Sequence, residues 1–284
     1  MTQLGPNRYG KSAIRLVRVL RDGGRHTVRD LTVAVALEGD FTAAHVDGDN
    51  RLVVATDTMK NTVHAMAREH LTGSIERFGH VLARHFAAFE QVERATVSVD
   101  EHRWVRLPTD EGPAPDAFLR SGDYVRTAVV SASGDGDGFE AGVRDLVVMK
   151  TTRSEFAGFP RDAYTTLPET DDRLMATRMT ATWRYGTGPD DGMPTDFDGR
   201  FDAIGATLLD VFARHHSRSV QESAWIVGRA VIEQHSDVEE VRMSLPNLHH
   251  WLVDLEPFGQ QNPGEIFTPT TEPHGLIEAT VRRS

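Results

Sequence analysis

An order of elements that occurs twice constrains this chain more than any other feature. Leu31, Val33, Val35 and Leu37 alternate with Thr32, Ala34 and Ala36, the period-two pattern of a half-buried strand. Residues 12–37 therefore read as two strands, and 51–55 as a short third one. Thr56-Asp57-Thr58 then offers the residue types that cap helices. Helices are predicted over 59–69 and 74–89. In the second, Ile75, Phe78, Val81, Leu82, Phe86 and Phe89 recur near the ~3.6-residue period of an apolar helix face. Strands follow at 96–105 and 124–131, separated by a loop marked by Pro108, Gly112, Pro113 and Pro115. The second half repeats the order. Strands are predicted at 142–150 and 175–185, helices at 197–215 and 220–234, and strands at 241–245, 251–255 and 276–281. Paired helices flanked by strands in each half imply an α+β fold with antiparallel sheets. The run Gly134-Asp135-Gly136-Asp137-Gly138 is the strongest interior break, so the modules are expected at 1–135 and 136–284.

Length and charge narrow the classes of function. A chain of 284 residues exceeds the usual single domain, which agrees with two modules. Lys plus Arg is 31 and Asp plus Glu is 42, so the formal charge is 31 − 42 = −11. Basic residues are scattered, so neither nucleic acid nor an anionic membrane is an expected partner. No stretch approaches the roughly 18 apolar residues of a spanning helix. The first residues lack the apolar core of a secretory signal. Cysteine is absent, which excludes disulfides, thiolate catalysis and Cys-ligated metal sites.

Familiar catalytic signatures are missing: no P-loop, dinucleotide glycine fingerprint, G-x-S-x-G or H-E-x-x-H occurs. Histidine is the remaining suspect. His215-His216 ends a predicted helix, where a cation suits the dipole. In Leu245-Pro246-Asn247-Leu248-His249-His250-Trp251, an extended backbone puts Asn247 and His249 on one side. That pair reads either as part of a site or as a solvated pair. Lys11 is either a surface charge or a desolvated base. Arg173, after Asp171-Asp172, is either ion-paired or free to grip a planar ligand. Phe156 and Gln221 carry no signal alone.

Read together, these segments resemble the urate oxidase (uricase) family. The resemblance rests on Tyr9-Gly10-Lys11 with Arg15-Leu16-Val17, and on Val53-Val54-Ala55-Thr56-Asp57-Thr58 with Lys60-Asn61-Thr62. It continues through Ser154-Glu155-Phe156 with Gly158-Phe159, and through Tyr164-Thr165-Thr166-Leu167 to Asp172-Arg173. Ser219-Val220-Gln221, Ser244-Leu245-Pro246-Asn247 with His249, Phe258-Gly259-Gln260 and Gly275-Leu276-Ile277-Glu278 complete it, in order along nearly the whole chain.

The resemblance implies two tandem tunnelling-fold modules of ββααββ type, whose sheets close into a barrel on oligomerisation, and a homotetramer with sites shared between subunits. It implies oxidation of urate by O2 and water to 5-hydroxyisourate and hydrogen peroxide, with no metal, flavin or haem. Lys11 and Thr56 would deprotonate urate and His249 would tune them. Arg173 would grip one edge of the purine and Gln221 the other. Phe156 would stack on its plane, the N–H groups of Asp57 and Val220 would complete the contacts, and Asn247 would hold O2 or water above the ring. Two departures stand out: Leu248 sits where the family often has lysine, and the 108–116 loop is short. The ending Val281-Arg282-Arg283-Ser284 is not a peroxisomal S-K-L tripeptide, so a bacterial, cytoplasmic setting is expected. Two other readings compete. A pterin-type tunnelling-fold enzyme would commonly need metal ligands, and a purine-binding protein without catalysis would be expected to lose Lys11 or Thr56.

Overall fold

The computed structural model describes residues 2–122, 124–186 and 194–284. They form two compact units, Met1–Gly142 with Arg184–Asp198, and Val143–Trp183 with Gly199–Ser284. Among the described residues no helix is long and apolar enough to cross a membrane.

The first unit runs β1 (Tyr9–Asp22), β2 (Arg25–Gly39), α1 (Thr42–Val46), α2 (Thr56–His70), α3 (Ile75–Ala87) and β3 (Val92–His102). Next come β4 (Trp104–Thr109), β5 (Gly112–Arg120), β6 (Val125–Ser133) and the start of β7 (Gly136–Lys150). The sheet order is β1-β2-β3-β6-β7, with antiparallel registers such as Val33 opposite Val99 and Val99 opposite Ala128. The alternation in β2 works as its pattern requires. Leu31, Val33, Val35 and Leu37 are buried, as are Met59 and Val63 of α2 and Ile75, Phe78, Leu82 and Phe86 of α3. Ser74 caps α3 by accepting the Arg77 N–H.

Two expectations for this unit, at 51–55 and 108–116, need correction. Residues 51–55 are no strand: they form a turn, with Val53 N–H donating to Asn50 O, and an extended lead into α2. Their apolar character serves to bury Val54. The loop expected at 108–116 is a hairpin in which Pro108 faces Pro113. A two-stranded ribbon has only edge strands, which tolerate proline. The glycine run at 134–138 makes the tight turn between β6 and β7, and Ser133 Oγ donates across it to Gly136 O.

The second unit holds the rest of β7, all but the last two residues of β8 (Met175–Tyr185), all but the first two of α4 (Phe197–Arg214), then α5 (Val220–Gln234), β9 (Val238–Leu252), β10 (Phe267–Thr270) and β11 (Leu276–Arg282), with a short 3₁₀ turn at Glu256–Phe258. The strands expected at 241–245 and 251–255 are one continuous strand, β9, despite Pro246. Its partners explain the continuity. β11 pairs with Glu240–Pro246 and β10 with His249–Leu252, so the strand changes neighbours just past the proline. The Pro246 carbonyl accepts from Thr177 Oγ1, and Asn247 N–H donates to Gly275 O. Asn247 and His249 therefore sit where one partner strand gives way to the next.

Helix α5 crosses its sheet at Gly228. A methyl group there would lie 2.7 Å from Val281 Cγ2, whereas one at Gly205 of α4 would meet nothing within 4 Å. Gly228→Ala is expected to lower stability by about 1–3 kcal/mol through overpacking. Gly205→Ala should raise it by roughly 0.5–1 kcal/mol, because alanine is the better helix former. Urea unfolding midpoints of the two variants check this, and the reverse order would refute the packing argument.

Candidate active site

Residues 150–175 carry much of the candidate chemistry and contain almost no regular structure. Cross-links hold them instead. Phe156 and Thr170 exchange both backbone hydrogen bonds, at 2.8 and 3.1 Å, and Arg173 N–H donates to Ser154 O at 2.7 Å. Asp172 spends its carboxylate locally, accepting from Thr152 Oγ1 at 2.7 Å and from Ser154 N–H at 3.4 Å. These bonds hold its carboxyl below the usual range, the Thr152 hydroxyl contributing most.

With Asp172 so engaged, Arg173 has no carboxylate partner among the described residues. Of the two readings open for this arginine, ion pairing fails. Its guanidinium stands over the Phe156 ring at 5.2 Å, and its Nε is buried without an acceptor. Burial also draws its pKa below the ordinary guanidinium value. The Phe156 ring is backed by Phe159, parallel within 13° at 4.9 Å, which makes a rigid apolar platform.

Asn247 and His249 share one face of β9, with Asn247 Nδ2 3.4 Å from His249 Nδ1. Trp251, two residues further on, stacks on the imidazole at 5.4 Å. The His249 pKa falls below its ordinary value, mainly through burial and then through the charge of Arg173. The ring is therefore neutral near pH 7. With the Asn247 amide donating to Nδ1, the ring proton rests on Nε2. Phe156, Arg173, Asn247 and His249 all line a single cleft of about 620 Å³.

Val220 and Gln221 open α5 and are not among the residues lining that cleft. Ser219 caps this helix, accepting Glu222 N–H at 3.1 Å. The Val220 N–H belongs to the first turn, where helices leave donors unpaired. Gln221 is exposed. Two backbone bonds tie the approach to α5 to the Phe156 arm: Glu155 N–H to Ser217 O at 2.8 Å, and Ser217 N–H to Arg153 O at 3.0 Å.

Lys11, Thr56 and Asp57 belong to the first unit. Lys11 is half-buried in β1 at a bulge: it faces Val35 while Ile14 faces Val33, so β1 carries one extra residue. Ala13 takes up the distortion with φ of +56°. Gly10 is required there, since a methyl group would lie 1.9 Å from Val35 O. Lys11 lines a cleft of about 370 Å³ floored by Ala34, Ala36, Thr96 and Ser98. The capping role read for Thr56-Asp57-Thr58 is not the one found. The cap position is Ala55, without a side-chain bond, and Asp57 instead pairs with Lys60 and Asn61. The Thr56 hydroxyl has no partner among the described residues.

Sequence reasoning missed Tyr9 as a structural residue. Its hydroxyl accepts Val54 N–H at 2.8 Å and donates to Val54 O at 3.3 Å. This clasp lies two residues before Lys11 and two before Thr56. Its one signal was an aromatic in the Tyr9-Gly10-Lys11 segment, which by itself reads as core.

The uricase family model matches residues 7–131 and 139–278. The chain is similar to the uricase of Arthrobacter globiformis, 47% identical over 281 residues that cover 99% of this chain and 90% of that one. It is 36% identical to the uricase of Aspergillus flavus, covering 100% of this chain and 98% of that one. The crystal structure of the Arthrobacter globiformis uricase superposes with a TM-score of 0.92, at 46% identity, over 100% of this chain and 96% of that chain. The chain belongs to the uricase family, and its activity is that of an oxidoreductase, a urate oxidase.

Proposed function

We propose that this urate oxidase works without a cofactor, on a urate held between Arg173 and Gln221 and stacked on Phe156. The buried, acceptor-less Nε of Arg173 above the Phe156 platform carries the reading. An unpaired buried donor costs about 1–3 kcal/mol, and a planar ligand offering two acceptors on one edge recovers that cost. Urate is such a ligand, and as an anion it meets an unneutralised cation. Gln221 offers one donor and one acceptor to the opposite amide edge. The N–H groups of Asp57 and Val220 complete the plane.

Lys11 and Thr56 remove a proton from bound urate, and His249 hydrogen-bonds into that pair. The resulting electron-rich purine reduces O2 directly. Water adds at C5, so urate, O2 and water give 5-hydroxyisourate and hydrogen peroxide. Asn247 holds O2 or water over the ring. The protein contributes binding, deprotonation and placement. Each site joins Lys11, Thr56 and Asp57 of one chain to Phe156, Arg173, Gln221, Asn247 and His249 of a neighbour. The modules, at 1–135 and 136–284, associate through closed barrels into a homotetramer. The setting is a bacterial cytoplasm.

Cofactor independence predicts full turnover after exhaustive chelation, followed by urate absorbance and O2 uptake. Strict dependence on re-added metal would reject it. Arg173→Lys keeps the charge but loses the planar fork, so urate binding measured without O2 should weaken by roughly 1.5–3 kcal/mol. An unchanged dissociation constant would sink the assignment.

Because His249 is held below its ordinary pKa, its own protonation should come only below the usual imidazole range. At that pH Nδ1 gains a proton and can no longer accept from Asn247. An NMR titration of the assembled enzyme in which His249 protonates at or above the ordinary histidine value would contradict this.

Site sharing predicts complementation. Thr56→Ala and Arg173→Ala should each be nearly inactive alone. Co-expressed and randomly assembled, they should restore about one quarter of the sites by symmetry. Mixed tetramers without regained activity would place each site within one chain.

A further inference from the structure

Beneath the Phe156 arm lies a buried polar cluster that the proposed chemistry does not use. Lys150, at the end of β7, is 6% exposed; its ammonium donates to His215 O and faces the Phe212 ring at 5.7 Å. His215 Nδ1 lies 2.9 Å from Val211 O, and a carbonyl only accepts, so Nδ1 carries a proton. Burial holds the His215 pKa below its ordinary value, so the ring is neutral and Nε2 is an acceptor. The Ser223 hydroxyl, 2.9 Å away, donates to it. Ser223 Oγ in turn accepts from Ser217 Oγ at 2.8 Å, which uses both hydroxyl protons, although Ser219 O also lies 3.0 Å from Ser217 Oγ and 3.1 Å from Ser223 Oγ. Ser217 and Ser223 are 0% and 2% exposed.

This cluster meets three elements at one point. His215 follows the end of α4, which Arg153 also caps by donating to Arg214 O and Ala213 O at 3.0 and 2.7 Å. Ser223 lies in the first turn of α5, which Ser219 caps, so the cluster reaches the start of Val220 and Gln221. The Ser217 backbone is bonded to both Arg153 and Glu155, beside Phe156. An apolar core could join the same elements with less desolvation. A hydrogen-bonded polar cluster instead selects one geometry.

We propose that Lys150, His215, Ser223 and Ser217 form a positioning chain that sets the start of α5, and with it Gln221, against the Phe156–Arg173 arm. None of the four touches urate; they act through Gln221. The inference rests on the assignment of Gln221 to the purine edge.

The test uses the full-length assembled enzyme with urate as the probe, binding measured without O2 and turnover with it. Ser217→Ala removes one hydroxyl from the chain. It should raise the urate dissociation constant about ten-fold, the size of one misplaced hydrogen bond, with the loss falling on binding and not on kcat. Gln221→Ala should raise it by at least as much. Because Ser217 acts through Gln221, the double variant should bind no worse than Gln221→Ala alone. Ser223→Ala breaks the same chain one link further on and carries the same expectation should Ser217→Ala fail to assemble. If Gln221→Ala weakens binding while the serine variants do not, or if their effects add fully, the positioning chain is refuted and the site assignment stands. If Gln221→Ala leaves binding unchanged, the assignment fails and the inference fails with it.

Discussion

The second unit's candidate site depends on a backbone crossing in which residues 153–156 and 217 exchange two hydrogen bonds. Neither segment is part of a sheet or helix, so no repeating ladder fixes either one. The crossing substitutes for that ladder. It joins the arm that carries Phe156 and Arg173 to the approach of α5, which carries Val220 and Gln221. Because those four residues come from two separate stretches of chain, any loosening of the crossing would spread into the spacing of every one of them.

The first unit solves a similar problem differently. Lys11 sits on a regular strand, where alternation alone would assign its direction. An extra residue at the bulge changes that assignment, with Ala13 bearing an unfavourable φ and Gly10 allowing β2 close approach. Such strain persists only where surrounding structure over-determines it. The Tyr9–Val54 clasp supplies part of that constraint, and it also fixes the lead into α2. One hydroxyl thereby holds the strand bearing Lys11 to the segment bearing Thr56.

Electrostatics in the cleft runs against the chain as a whole. The formal charge is −11, yet Arg173 is left without a carboxylate although Asp171 and Asp172 precede it. The Asp172 carboxylate is turned to Thr152 and Ser154. That choice leaves a partly desolvated cation facing the cleft. Burial first, and then the same cation, keeps His249 neutral, so the site combines one fixed positive charge with uncharged hydrogen-bonding groups.

Much of the fold was legible in the sequence, because burying one face of a strand or helix writes a period into the chain. The alternation in β2, the apolar face of α3 and the bounds of β8 and α5 all follow from it. The placement of Asn247 and His249 on one face needed only the period of an extended strand. What the sequence could not settle are the features that depend on partners distant in the chain. Residues 51–55 look like a strand because Val54 is buried, but only the neighbouring Tyr9 shows that it is buried without pairing. Pro246 looks like a break, and only the change of partner from β11 to β10 shows why β9 continues. Whether Arg173 was paired or free turned on where the Asp172 carboxylate points, which is set by Thr152, twenty residues away. Local periodicity fixes which side of an element a residue faces, whereas hydrogen-bond partners across the chain are chosen by the folded backbone and have no local pattern to reveal them.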